Sequence, residues 1–260
     1  MDAPSDADVH AEDPVVYPVT DHVGESGLQS LIIRGLLALL DDYFAALGRP
    51  VLAGGDQFIY YKQFDNRSVV APDIYLIDDE TLSQGDIKSW KVWERGGKVP
   101  TLALEIVSSD YRKDYRPEIV ARYQALGVRE LVRYDPEPEG DTRRLFSHWL
   151  REPSGLLAPR QTLPDRVRSA AYDFWLVRRP DRTLGLATGA NGFTAWKTAG
   201  ERRVEAAERA AHQAERAAAA AEAAAREAAA REAAERAARE AAEARVERLL
   251  AELARSRGEA

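Results

Sequence analysis

The chain has 260 residues, contains no cysteine, and carries 43 acidic against 36 basic residues, for a formal net charge of −7. The lack of cysteine excludes a disulfide framework, a thiol nucleophile and a thiolate metal site, and it is compatible with the reducing cytoplasm in which we expect the protein. A net negative charge gives no overall attraction for nucleic acid. Binding to DNA therefore needs a local basic face and a cation that neutralises the acids.

The N-terminal sequence indicates a disordered N-terminal segment, called the lead here, followed by a helix. Residues 1–18 are acidic and lack an apolar core segment, which indicates a disordered lead and not a secretory signal. Residues 26–47 are predicted to form the first helix, with Ser26 as N-cap and Gly48 as its stop. The apolar run at 36–40 is too short to span a bilayer, so we expect no membrane association. We divide the chain into the lead, an α/β domain at 19–198 and a long helix at 199–260.

The next predicted strands place an acid in an apolar setting. Residues 57–61 and 69–77 are predicted strands, and Asp73 enters the second one directly after Pro72. A proline suits the start of a strand because it lacks the backbone donor. Residues 79–99 form a long polar loop, whose Trp90 and Trp93 we expect to cover the edge of the core rather than to stack on a substrate.

Residues 100–135 predict a strand, a helix and a second strand. The apolar run 101–107 contains one acid, Glu105. Apolar residues at helical spacing then predict a helix at 114–126, which Gly127 ends, and residues 129–134 form the next strand. Such a unit usually gives parallel neighbouring strands in a sheet that helices cover.

Two acids inside apolar strands are costly unless something pairs with them. Asp73 and Glu105 therefore suggest a pair that converges on a metal ion. The alternative is that Asp73 caps a turn and Glu105 pairs with an arginine. Glu25, just before the first predicted helix, either approaches this site as a third acid or simply lies near the positive helix end.

The remainder predicts short strands and one long helix. Residues 143–187 contain short strands separated by proline and glycine, which suggests a β-meander against the main sheet. His148 lies in a strand pattern and is expected to be packed, not to bind metal. The Ala/Glu/Arg-rich tail predicts a nearly continuous helix, either solvated or paired in a coiled coil through Val246, Leu249, Leu250 and Leu253.

Several motifs in the same order along the chain carry a resemblance to a known family. They are Gly24-Glu25-Ser26, Gln57-Phe58-Ile59-Tyr60-Tyr61, Ala71-Pro72-Asp73, Lys91-Val92-Trp93-Glu94, Leu104-Glu105-Ile106-Val107-Ser108, and Tyr123 followed by Val128-Arg129-Glu130-Leu131 and Asp135-Pro136. As a set they resemble the Uma family of restriction-endonuclease-like proteins, within the PD-(D/E)XK nuclease superfamily. The resemblance implies a mixed sheet flanked by helices, and hydrolysis of DNA with Mg²⁺ held by Asp73, Glu105 and Glu25.

The chain departs from the pattern of that superfamily at the lysine. Two residues after Glu105, where the superfamily often has a lysine, this chain has Val107. The resemblance to Uma sequences instead implies a lysine on the following helix, four residues before the tyrosine that Tyr123 matches. This chain has Ile119 at that position. Lys113 is the replacement that we assign to catalysis, and Arg116 and Arg122 are further nearby cations. Arginine binds phosphate well but does not deprotonate.

Three functions follow from these patterns. The first is a Mg²⁺-dependent DNA endonuclease, weakened by the loss of the family lysine. The second is a nuclease fold that binds nucleic acid without cleaving it. The third is an interaction protein whose tail recruits a partner or forms a homo-oligomer.

Overall fold

The computed structural model describes residues 15, 27–80, 82, 85, 87–108, 111–140 and 142–258, with side chains in the tail described up to residue 253. Glu25, Ser26 and nearly all of the predicted lead lie outside the described residues. The chain divides into two compact units, Met1–Ala199 and Gly200–Ala260. Within the described part, no helix is both long and apolar enough to cross a membrane.

In the part of the chain that the structure describes, one α-helix precedes the strands of the first unit, two short α-helices lie between its sixth and seventh strands, and a long helix follows the last strand. The α-helices of the described residues are α1 (Gly27–Leu47), α2 (Tyr111–Asp114), α3 (Pro117–Leu126) and α4 (Ala199–Gly258), and a short 3-10 helix spans Val92–Arg95. The strands are β1 (Val51–Gly54), β2 (Ile59–Tyr60), β3 (Val69–Val70), β4 (Ile74–Asp78), β5 (Trp90–Lys91), β6 (Leu102–Ile106), β7 (Glu130–Tyr134), β8 (Phe146–Arg151), β9 (Leu157–Arg160), β10 (Arg166–Arg168), β11 (Trp175–Arg178), β12 (Leu184–Thr188) and β13 (Thr194–Ala195).

The main sheet has six strands in the order β1-β4-β6-β7-β8-β9. β6 and β7 run parallel on either side of the crossover through α3, whereas the other neighbouring strands of this sheet run antiparallel. The predicted fold class is confirmed: a mixed sheet with helices and a long C-terminal helix, as in restriction-endonuclease-like folds.

Alternation along β6 assigns its side chains to two different cores. Leu102, Leu104 and Ile106 join a core that contains the apolar face of α1 and residues of the β10–β12 region. Ala103 joins the opposite core, which contains Tyr123 and Leu126 of α3. Since side chains alternate along a strand, Glu105 is directed to the same face as Ala103, toward α3.

The crossover between β6 and β7 differs in one respect from the helix predicted at 114–126. α3 begins only at Pro117, and Arg116 before it is extended (φ −66°, ψ 135°). The ring of a proline disfavours helical backbone at the preceding residue, so Pro117 separates the short α2 from α3. Gly127 ends α3 as predicted, in the left-handed conformation (φ 100°).

Two smaller sheets surround the main one. β10-β11-β12-β13 form a four-stranded antiparallel meander, while β8 and β9 join the main sheet instead. β3-β2-β5 form a three-stranded sheet, so the predicted 79–99 loop contains a strand. Trp90 in that strand is fully buried and donates its indole N–H to the Lys98 carbonyl at 2.8 Å, which confirms its packing role.

Candidate metal and active site

Register sets the two predicted acids side by side on one face of the main sheet. Ile74 of β4 lies opposite Leu104 of β6, and continuing this antiparallel register by one residue places Asp73 beside Glu105. The two side chains therefore share the α3 face. A direct contact agrees with this placement, because the backbone N–H of Ile106 donates to Asp73 Oδ2 at 2.6 Å.

Asp73 is fixed by both backbone and side-chain contacts. It is 8% exposed, and Gln29 Nε2 of α1 donates to its Oδ1 at 2.8 Å. The chain around it is packed tightly against the turn after β1: a Cβ added to Gly55 would lie 2.3 Å from the Asp73 carbonyl oxygen. The Asp56 N–H donates to the Pro72 carbonyl at 3.2 Å. Asp73 thus has little freedom to turn away from Glu105.

Glu105 is a half-buried carboxylate held by a phenol. The hydroxyl of Tyr123 on α3 donates to its Oε1. Burial raises the pKa of Glu105 well above its ordinary value, and the charge of Asp73 raises it further, whereas the Tyr123 hydrogen bond opposes the shift. Burial and the neighbouring Glu105 also raise the pKa of Tyr123, so the phenol stays a donor. Asp73 and Glu105 are like-charged carboxylates that are largely shielded from solvent, so a cation bound between them would stabilise both.

A third acid, Asp114 at the end of α2, lies near this pair and was not predicted. Its Oδ2 accepts the backbone N–H of Ser108 at 2.8 Å and the Ser108 hydroxyl at 2.9 Å. The Asp114 charge also raises the pKa of Glu105. Its sequence position, at the boundary of a predicted helix, gave no sign of a role, because the contact depends on how the chain turns after β6.

The oxygen-only donor set fits Mg²⁺, which prefers carboxylates and keeps several waters. Within the described ranges, no group of three His, Cys, Asp or Glu side chains is arranged to hold a metal ion. The donor set that the structure brings together is thus the pair of Asp73 and Glu105, completed by water. Glu25, the third predicted ligand, falls outside the described residues, so its role stays a prediction.

The predicted cations lie around Ile119, next to α3. Lys113, Arg116, Glu118, Ile119 and Arg122 line a surface depression of about 500 Å³. Lys113 is exposed on α2, directly before Asp114. Ile119 is half-buried against the α3-side core and lies one helical turn before Tyr123, the residue that binds Glu105. The catalytic role of Lys113 stays a prediction.

A larger cavity, about 790 Å³ in volume, lies elsewhere, between β8 and the β10–β11 region. Beneath it, Glu130 is 1% exposed and accepts hydrogen bonds from Ser169 Oγ (2.8 Å) and from the Ala170 and Ala171 N–H groups, and it contacts His148 Nε2 at 2.9 Å. Because the serine hydroxyl is bonded to the glutamate and not to the histidine, this cluster lacks the nucleophile–base contact of acyl transfer. It holds strands and a turn together, and His148 is packed as expected.

Comparison with known proteins places this geometry in a family. Among curated proteins, none is recognisably similar to the chain. The family model Uma2, described as "Putative restriction endonuclease", matches residues 20–171, which is more than half of the chain and includes Asp73, Glu105, Lys113 and Asp114. The acid pair on adjacent strands thus lies within the matched region, and the chain belongs to the Uma2 restriction-endonuclease-like family.

Proposed function

We propose that the protein is a Mg²⁺-dependent DNA endonuclease whose metal ligands are Asp73 and Glu105. The observation that carries the proposal is the placement of these two carboxylates on one face of neighbouring strands, with the pKa of Glu105 raised by burial and by Asp73. Membership of a restriction-endonuclease-like family supports a nuclease function. DNA as the substrate and Mg²⁺ as the cofactor are the more specific parts of the proposal.

Different residues of the chain would bind the metal ion, orient its ligands and position the water or the phosphate. Asp73 and Glu105 bind the cation, which when present supplies Lewis-acid stabilisation and a more acidic water. Tyr123 orients Glu105 through its hydrogen bond, and Gln29 together with the Ile106 N–H orients Asp73. Lys113 is our candidate for steadying the attacking water or the phosphate, with Glu25 as a third acid.

The test combines metal binding with cleavage. We expect the unchanged chain to bind Mn²⁺, measured by titration calorimetry, and to nick supercoiled plasmid slowly in Mg²⁺ but not in EDTA. Asp73→Asn and Glu105→Gln should each abolish both Mn²⁺ binding and plasmid nicking. Glu139→Gln, which removes an exposed acid from a loop, is the control and should change neither. Metal-dependent nicking that survives both site variants would refute the proposed ligands.

A second candidate function is DNA binding without cleavage. The observation that favours it is Ile119 at the position of the family lysine, beside three cations that line the same depression. This function predicts binding of labelled duplex in Ca²⁺ together with an intact plasmid after long incubation in Mg²⁺ or Mn²⁺. Nicking that depends on Glu105 excludes it.

The third candidate is self-association through α4. Val246, Leu249, Leu250 and Leu253 are all more than half exposed and recur at helical spacing. Sedimentation equilibrium of the full chain and of the quadruple alanine variant tests this function. A monomer at all concentrations rules it out and leaves the nuclease proposal untouched.

A further inference from the structure

Arg133 is a buried cation beside the acid pair. It lies in β7 directly opposite Glu105 of β6, and opposite residues of neighbouring strands share a face. Asp73, directly before β4, therefore forms a row with Glu105 of β6 and Arg133 of β7 on the α3 side of the sheet. The Arg133 residue is only 5% exposed.

The Arg133 guanidinium lies over two aromatic rings. Its central carbon lies 4.7 Å from the centroid of the Tyr115 ring and 5.0 Å from that of Trp149. These contacts explain how a cation is tolerated at this depth. They do not account for its five N–H donors, which need hydrogen-bond acceptors.

Those donors have no acceptor in the described part of the chain. Arg133 Nε is cut off from solvent and has no hydrogen-bond partner. The terminal nitrogens make no hydrogen bond or ion pair there either, and they keep a narrow contact with solvent. The carboxylate of Asp135, two residues away, is already bound by Arg143 through two contacts of 2.7 Å and by the Tyr115 hydroxyl.

A buried donor without an acceptor is unfavourable, and in a native protein it needs an explanation. The chemistry of the row supplies one. A divalent cation on Asp73 and Glu105 is balanced by the two carboxylates, which leaves the single negative charge of a phosphodiester uncompensated. A guanidinium offers parallel N–H donors that match two phosphate oxygens.

We propose that Arg133 is a phosphate-binding residue that receives the DNA phosphate at the Asp73–Glu105 site and supplies the positive charge that Ile119 lacks. This inference rests on the proposed function, since it assumes that the site receives a phosphodiester. It makes Arg133 the main determinant of phosphate affinity at the site and leaves to Lys113 the role of steadying the attacking water.

The experiment measures DNA affinity in the full chain, with Ca²⁺ in place of Mg²⁺ so that binding is not accompanied by turnover. The probe is a fluorescein-labelled random-sequence duplex, followed by anisotropy at low ionic strength. We expect Arg133→Met to weaken binding about tenfold or more. Arg129→Met is the matched control: it removes the same charge from an exposed position just before the same strand, and it should weaken binding by less than about twofold.

Thermal unfolding separates phosphate binding from packing. Removing a donor that has no acceptor relieves a desolvation cost, whereas losing the charge removes the two ring contacts and the attraction of Arg133 for Glu105. These effects oppose each other, so the melting temperature of Arg133→Met should change by less than about 3 °C. Unchanged DNA affinity, or an equal loss in Arg129→Met, overturns the inference, and so does a fall in melting temperature without loss of affinity. If Arg133→Met does not fold, Arg133→Lys, which keeps the charge but lacks the planar pair of donors, must weaken binding; full affinity in that variant overturns the inference.

Mn²⁺ titration keeps this inference distinguishable from the function on which it rests. Absence of Mn²⁺ binding in the unchanged chain contradicts the proposed function, whatever Arg133 does. Intact Mn²⁺ binding with lost DNA affinity in Arg133→Met supports the role of Arg133 alone.

Discussion

Glu105 shows at the scale of one residue how a site can oppose stability. Its pKa is raised above 4.5 in the folded chain, so the unfolded chain loses this proton at lower pH than the folded chain does. The stability associated with this group is therefore present below pH 4.5 and is lost as the pH rises through the folded pKa. Glutamine has no ionisable side chain, so a glutamine at position 105 does not lose this stability as the pH rises.

We accordingly predict that Glu105→Gln stabilises the metal-free protein by about 1 kcal/mol at neutral pH and hardly at all near pH 4. Urea unfolding in EDTA at the two pH values measures the difference, with Glu139→Gln as the exposed control. A gain of equal size at both pH values would show that ionisation of Glu105 is not its cause.

Ile119 allows a gain-of-function prediction. It lies one turn before Tyr123 on the same side of α3, and Tyr123 binds Glu105. A lysine at 119 can direct its long side chain into the depression that Ile119 already lines. We expect Ile119→Lys to raise Mg²⁺-dependent nicking about tenfold or more, since a positioned cation stabilises the charge of the transition state.

Ala121→Lys provides the control for the Ile119 variant. It adds the same charge at an exposed position of α3, two residues away and therefore on a different side of the helix. Initial nicking rates of both variants are compared with that of the unchanged chain. An equal rise in both would reflect general attraction for DNA, and no rise in either would mean that position 119 does not reach the phosphate.

At the residue scale, the sequence was informative where an acid interrupted an apolar run. Asp73 and Glu105 were found in this way, and the structure brings them to one face. Arg133 carries the same signal, a charge within an apolar strand, but it was missed because its importance appears only when β7 is paired with β6. Asp114 could not be predicted, since its contact with Ser108 depends on the turn after β6.

At the scale of elements, the close approach of β1 to β4 positions the metal ligand. We predict that Gly55→Ala destabilises the protein by about 2 kcal/mol or more and weakens Mn²⁺ binding, because its Cβ would lie 2.3 Å from the Asp73 carbonyl oxygen. Gly35→Ala is the control: in α1 nothing lies within 4 Å of its added Cβ, so a gain of up to about 1 kcal/mol is expected. Urea unfolding and Mn²⁺ titration give the two readouts, and wild-type values for Gly55→Ala would contradict the prediction.

Helices and strands could be predicted where the local residue pattern determines them. The places of strands in a sheet were less predictable, because pairing with strands distant in sequence determines those. The strand–helix–strand unit of β6, α3 and β7 was predicted from apolar runs and from Gly127. The helix predicted from residue 114 starts too early, because Pro117 disfavours helical backbone at Arg116. Membership of β8 and β9 in the main sheet is set by their pairing with β7 and with each other, which short strand patterns do not specify.

At the scale of the whole molecule, composition separates the two units. The described side chains of 201–253 are almost all exposed, and few of them are large and apolar. Pairs such as Glu222–Arg226 and Glu227–Arg231, four residues apart, lie along α4 and support its own helix. Near the end of the first unit, in contrast, Trp196 packs against the core: its ring lies edge-on to Tyr43 (5.1 Å between ring centroids), and its indole N–H donates to Asp42 at 2.9 Å.

This contrast predicts different outcomes for two truncations only five residues apart. Ending the chain after Gly200 should change the melting temperature by less than about 3 °C, because alanine-rich helix buries little apolar area. Ending it after Ala195 also removes Trp196, whose backbone N–H donates to the Leu186 carbonyl at 2.8 Å, and should lower the melting temperature by about 5 °C or more. Differential scanning calorimetry at two protein concentrations compares both truncated chains with the full one. If loss of α4 alone lowers the melting temperature as much as loss of Trp196, the long helix contributes to the stability of the first unit and the prediction is wrong.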